Sequence, residues 1–191
     1  MSFFRGGRRY PSVHGGYDVP ASMSVPEETT RDFELLFDSY YGRLARLLYR
    51  VAGEPGHAEE IAAEAFWRLH HKPPRDRSNL EGWLYRTGLR LALDQIKRER
   101  RRARYEAMAA WFGIAPSPDK ALEQTEDQRR VRLTLASIKP EQAALILLRS
   151  DDFAYADIAA KLRLNPASVG TLLTRAEHAF RKEYCKRYGN R

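Results

Sequence analysis

Cysteine is nearly absent: Cys185 is the only one in 191 residues. One thiol cannot close a disulfide within the chain or build a cysteine-based zinc site, and that usage suits a reducing cytoplasm, where the protein is expected to reside. Long apolar runs are missing too. The longest, Ala143 to Leu148, is far too short to cross a bilayer, so no membrane insertion is expected. Arg8 and Arg9 could begin a twin-arginine export signal, but Tyr10 to Gly16 adds no apolar segment behind them. The histidines (His14, His57, His70, His71 and His178) have no metal-ligand spacing with carboxylates or Cys185. Neither a phosphate-cradling glycine loop nor a nucleophile arrangement occurs. No metal, cofactor or catalysis is therefore expected, and no internal repeat is evident.

Positive charge is what the chain has in excess. Lys and Arg number 33 against 25 Asp and Glu, giving a net charge of +8 and a pI near 9.7. That balance favours an anionic partner, nucleic acid first and a membrane surface second. Hydrophobic residues make up 43%, enough for a packed core.

The excess concentrates in the stretch from Asn79 to Arg104. Leu89, Ala92, Leu93 and Ile96 fall at i, i+3, i+4, i+7, one face of a helix turned to a core. Lys97, Arg98, Arg100, Arg101, Arg102 and Arg104 follow, broken only by Glu99 and Ala103. Such a run repels itself unless an anion is near, and polyphosphate is the obvious candidate. A solvated basic helix end is the plain alternative. Asp94, four residues before Arg98, is expected to orient it.

Around this stretch the chain divides. Residues 1–28, rich in Gly and Pro without apolar period, read as a disordered tail. Thr29 and Asp32 resemble a capping box opening a helix to Ala52, stopped at Gly53. A second helix runs from about Gly56 to His71, with Ile61, Ala62, Ala65, Phe66 and Leu69 inward. Residues 29–106 form one helical domain and 107–121 a linker containing Pro116 and Pro118. Residues 122–188 form a second domain. In it Tyr155, Ile158, Ala159 and Leu162 mark a short helix, and Asn165-Pro166 caps another carrying Val169, Leu172 or Leu173, Ala176 and Phe180. A short helix, tight turn and second capped helix is a helix-turn-helix pattern. The expected fold class is all-α: two small helical domains on a flexible linker.

Three segments in this order carry a resemblance. They are His57-Ala58-Glu59-Glu60-Ile61-Ala62-Ala63-Glu64-Ala65-Phe66, then Trp83-Leu84-Tyr85-Arg86 with Leu91-Ala92-Leu93-Asp94 and its basic tail, and Tyr155 to Leu162 with Ser168-Val169 and Leu173-Thr174-Arg175-Ala176. With a Pro-containing linker between them, the chain resembles the extracytoplasmic-function sigma factors of the sigma-70 family. The resemblance implies binding to core RNA polymerase through its beta-prime clamp and beta subunits. It further implies promoter recognition, DNA melting for transcription initiation, and an inhibitory anti-sigma partner.

It also implies roles for residues. Glu59, Glu60, Glu64 and Arg68 would bind the polymerase core, where charge fixes register more than affinity. Arg75, Arg77 and Asn79 would hold a flipped base of the −10 element. Tyr85, with Trp83 and Tyr105 beside it as candidates, would stack on unpaired bases. Arg86, Arg90, Lys97, Arg98, Arg101 and Arg102 would complete the −10 contacts, the last four by neutralising phosphate. Ser168, Thr171, Leu172, Thr174 and Arg175 would read the −35 duplex.

The chain departs from the family pattern at Ala63 for a usual glutamine, Glu60 for aspartate and Arg90 for asparagine. It also lacks the basic residues usual near Gly170, Leu172 and Glu177. Two other readings therefore stand beside initiation: a diverged sigma-like regulator that does not initiate, and a protein-interaction module.

Overall fold

The computed structural model describes residues 27–111 and 125–189, and all regular structure among them is helical. Helix α1 spans Glu27–Ala52, α2 Pro55–His71 and α3 Leu80–Trp111. Helices α4 Glu126–Leu135, α5 Pro140–Ser150, α6 Tyr155–Leu162 and α7 Val169–Tyr188 follow, with a 3-10 turn Pro166–Ser168 before the last. The tail assigned to residues 1–28 lies almost wholly outside the described residues, as does most of the expected linker. Helix α1 begins at Glu27, so Thr29 lies inside it and does not cap it. Helix α3 runs through Trp111, five residues past the expected boundary at 106.

The first three helices share one core. Leu44, Leu47, Leu48 and Val51 of α1 meet Ile61, Ala65, Phe66 and Leu69 of α2 and Leu84, Leu89, Leu93 and Ile96 of α3, all buried. Gly88 lets α1 and α3 close: a Cβ there would lie 3.1 Å from Leu44 Cδ1 and 3.3 Å from Leu48 Cδ1. Phe33, Phe37 and Tyr41 gather about the Phe66 ring with centroids 6.0, 5.1 and 6.0 Å away. Gly53 at φ 77° ends α1, its N–H donating to Tyr49 O at 2.8 Å, and Pro55 opens α2.

The second module is closed by its caps. Thr125 Oγ1 accepts from Gln128 N and the Gln128 side chain accepts from Thr125 N, a reciprocal box at the start of α4. Pro140 occupies the first turn of α5. Arg163, at φ 57°, is the left-handed C-cap of α6, and Asn165 Oδ1 accepts from Ala167 N at 3.0 Å. The turn of the helix-turn-helix is therefore built by Arg163 and Asn165 together. Val169, Leu173 and Ala176 face inward against Ile158, Ala159, Ala143 and Leu148, so Leu173, not Leu172, is the core residue of α7.

The two modules do not stand apart. Helix α3 packs on α4, α5 and α6. Asn79 Oδ1 caps α3 by accepting from Gly82 N at 2.7 Å, while its Nδ2 donates to Ala160 O at 2.6 Å. Arg86 donates to the Lys161 carbonyl. The Lys161 ammonium reaches Glu81 Oε1 at 2.5 Å and sits 5.0 Å from the Tyr85 ring centroid and 4.7 Å from that of Phe153. With its side chain only 8% exposed, this cation depends on those partners. Arg163 pairs with Asp76 at 2.9 Å and Arg50 with Asp151 at 3.1 Å. Arg132 donates to Val51 O and pairs with Glu99 at 3.6 Å; burial lowers its pKa, opposed by Glu99.

Candidate nucleic-acid interface

Helix α3 changes character at Ile96, its last buried residue among those described. Beyond it the packed face gives way to charge. Arg90, Arg98, Arg101, Arg102 and Arg104 are exposed and Lys97 is half-buried. Asp94, Lys97, Arg98, Arg101 and Arg104 line one open depression along the helix. Asp94 pairs with Lys97 at 3.7 Å, so it orients Lys97 and not Arg98 as expected; i, i+3 reaches the nearer ammonium. Arg102 is turned to Glu106 at 2.7 Å. The cationic end stays open to solvent although the modules have joined.

Three expected −10 residues are otherwise engaged. Tyr85 is 1% exposed, its ring edge-on to Phe153 at 5.7 Å, so it cannot stack on a base in this arrangement. Burial, then the charge of Glu81, pushes its hydroxyl pKa up to about 12. Asn79 spends both ends of its amide on the α3 cap and on Ala160. Arg86 is held at α6, where burial and then nearby Arg163 lower its pKa. The cause is common to all three: they lie on the face of α3 that receives α6. Arg75 and Arg77 remain exposed. Between them, Asp76 is held below its usual range by the Ser78 hydroxyl and N–H, and by Arg163.

On α2, Glu59 and Glu60 are exposed and Glu64 pairs with Arg68 at 2.8 Å. Ala63 is exposed beside them. Sequence reasoning passed over Trp67, 52% exposed and stacked on His71 at 4.3 Å. Its position one turn after Ala63, outside the buried period of Ile61, Ala65 and Leu69, was the signal.

On α7, Thr171, Thr174 and Arg175 are exposed and Ser168 is half-buried. Thr174 Oγ1 donates back to Gly170 O at 3.1 Å. Leu172 and Arg175 border a cleft of about 860 Å³ between the modules, with Trp83, Leu91, Leu145 and Leu162 on its walls. Among the described residues no His, Cys, Asp and Glu group could hold a metal, and no helix is long and apolar enough to cross a membrane.

Two joined helical modules, one with an open cationic helix and one with a helix-turn-helix, define a nucleic-acid-binding protein. Similarity to known proteins gives the family. Sigma-70 region 2 matches residues 36–102, and Sigma-70, region 4 matches residues 128–178. The chain is 30% identical over 180 residues to the ECF RNA polymerase sigma factor SigE of Mycolicibacterium smegmatis, covering 88% of this chain and 70% of that protein. It is 24% identical over 164 residues to SigW of Bacillus subtilis, covering 79% and 88% respectively. Among solved structures, RpoE of Bartonella quintana in complex with the anti-sigma factor NepR aligns at a TM-score of 0.45 and 17% identity, over 80% of this chain and 96% of that one. The chain belongs to the extracytoplasmic-function sigma factors of the sigma-70 family. It is a sigma factor, binding core RNA polymerase and promoter DNA to direct transcription initiation.

Proposed function

We propose that the outer face of α3 is the phosphate-binding surface for the −10 region and that the joined modules are the unengaged form of the protein. The observation that carries this reading is the split between two faces of one helix. Lys97, Arg98 and Arg101 face solvent, while Asn79, Tyr85 and Arg86 are covered by α6. A conformation that offers phosphate contacts and hides the base-holding residues can bind DNA loosely but cannot hold an opened strand. Separation of α6 from α3 frees Asn79 and Arg86 for the −10 strand and turns Thr171, Thr174 and Arg175 to the −35 duplex.

Glu59, Glu60, Glu64 and Arg68 present the charged face of α2 to the polymerase clamp and beta subunits, with Trp67 an apolar anchor where Ala63 offers no hydrogen bond. Exposed aromatic side chains of this kind dominate interface energetics. An anti-sigma factor that holds the modules together would inhibit. The protein works through positioning and needs no catalytic group of its own.

Run-off transcription with purified core polymerase tests the reading. Glu59→Lys with Glu60→Lys should abolish transcripts and core retention while sparing DNA binding. Thr171→Ala with Arg175→Ala should remove promoter preference while sparing core retention. Core binding without transcripts from any promoter library would defeat it.

A further inference from the structure

The cleft between the modules, about 860 Å³, lies within the roughly 300–1,000 Å³ of small-molecule sites. Helix α3 forms one side of it, and α5, α6 and α7 the other. Trp83 and Leu91 of α3, Leu162 of α6, Leu164 in the turn and Leu172 of α7 line it, each only half-buried. Five large apolar side chains thus keep part of their surface in one concavity, whereas exposed apolar residues are ordinarily scattered singly.

Positive charge is in excess around this lining. Arg68, Arg86, Arg90, Lys139 and Arg175 border the cleft, against Asp94 and Glu141. Arg68 is paired with Glu64, Arg86 donates to the Lys161 carbonyl and Asp94 is bound by Lys97. Arg90, Lys139, Arg175 and Glu141 make no ion pair or hydrogen bond among the described residues. Three uncommitted cations therefore stand against one uncommitted carboxylate. Two departures from the family pattern also meet here. Arg90, in place of asparagine, adds a cation to the border, and Leu172, where a basic residue is usual, adds apolar surface.

We propose that the cleft binds a small amphipathic anion, an aliphatic chain ending in one carboxylate, and that this ligand clamps the modules together. The chain lies against Leu91, Leu162, Leu164 and Leu172, and the carboxylate answers the uncompensated charge of Arg90, Lys139 and Arg175. The lining selects this class. Trp83 is the only aromatic ring in it, so a nucleobase would find no second ring to enclose it. A polyphosphate would be desolvated against leucines and would meet Glu141. A neutral chain would leave the three cations unanswered.

A ligand held from both sides binds the joined form and not the separated one. At a hundred times its Kd it raises the joined-to-separated ratio about a hundredfold. It also covers Arg90 and Arg175. The site stands on the cleft alone; its effect on promoter binding rests on the reading of the joined form as the unengaged one.

Isothermal titration calorimetry of the full chain with decanoate, below its micellar concentration, tests the site. One decanoate should bind per chain. Acetate, which has the charge without the chain, should not bind at the same concentrations. Decanol, which has the chain without the charge, should bind about tenfold more weakly or worse. Leu172→Asp should weaken decanoate by about tenfold or more, since it removes apolar lining and adds a like charge. Leu172 lies outside the α7 core, so helical content should hold. Lys139→Glu should weaken binding about tenfold and Lys139→Arg should restore it. The Lys139 side chain makes no cap to α5, so both variants keep that helix. Lys182→Ala, which removes an exposed α7 cation outside the cleft, should leave binding unchanged. Saturating decanoate should lower promoter affinity in the natural chain and have no such effect in Lys139→Glu.

Absence of decanoate binding, or binding that both Leu172→Asp and Lys139→Glu leave unchanged, overturns the site. If decanoate stays unbound and those variants weaken core polymerase retention, the cleft is a protein-binding surface instead. One-to-one binding that both variants weaken, with promoter affinity unmoved, upholds the site and overturns the reading of the joined form as unengaged.

Discussion

Gly82 offers a way to part the modules without touching any charged group. A Cβ at this position would lie 2.7 Å from Lys161 O and 2.5 Å and 2.8 Å from the Asn79 amide atoms. A side-chain amide can swing away, but a backbone carbonyl of α6 moves only with its helix. Gly82→Ala must therefore push α6 off α3. The interactions at risk are the hydrogen bonds from Asn79 to Ala160 O and from Arg86 to Lys161 O, at about 1 kcal/mol each. The Lys161 ammonium between Tyr85 and Phe153 adds about 1–2 kcal/mol. Forfeiting only half of that sum, about 1.5–2 kcal/mol, shifts the joined-to-separated ratio roughly ten- to thirtyfold.

The first module should hold its own stability. Alanine improves the helix interior by about 1 kcal/mol over glycine. Displacing the Asn79 cap returns a similar amount, about 1 kcal/mol. Small-angle scattering should then show a larger radius of gyration with unchanged helical content by circular dichroism. Apparent affinity for promoter DNA should rise as the competent fraction rises. An unaltered radius together with unaltered promoter affinity would refute the reasoning, because it would mean that the packing of α6 on α3 does not govern the pairing.

Other outcomes follow from single side chains. Phe66→Ala, which empties the centre of the ring cluster with Phe33, Phe37 and Tyr41, should cost about 3–5 kcal/mol in chemical denaturation. Tyr85 is held neutral by burial, its pKa raised from 10.0 to about 12. A raised folded pKa gives stability that is full below pH 10 and is lost as pH climbs toward 12, so Tyr85→Phe should flatten alkaline unfolding in that window. Asp76 is depressed below 3.8, chiefly by the Ser78 hydroxyl, so its contribution is full above that pH and lost as pH falls through the lower folded value. Carboxyl NMR should place its midpoint below 3.8, and Ser78→Ala should raise it.

Local patterns and tertiary packing each account for part of this protein. Helical period, Pro140, the Gly53 stop and the Asn165-Pro166 cap are short-range signals, because each depends on backbone groups within a turn or two. They make the all-α class, the helix-turn-helix and the cationic end of α3 readable from the chain alone. The family resemblance rests on the same segments and agrees with the matches to both sigma regions.

What could not be read is which polar side chains would be used up by the second module. Nothing near Asn79, Tyr85 or Arg86 in sequence says that Ala160 and Lys161, far along the chain, will meet them. Nor does composition say that Lys161, a residue type seldom buried, will be enclosed by Glu81 and two rings. The residue order alone determined the helices, their caps and the charge on α3, since those follow from neighbours in the chain. Only the packed structure decided which face of α3 meets α6 and which stays open to solvent, because that choice depends on the shapes of two surfaces brought together from distant parts of the chain.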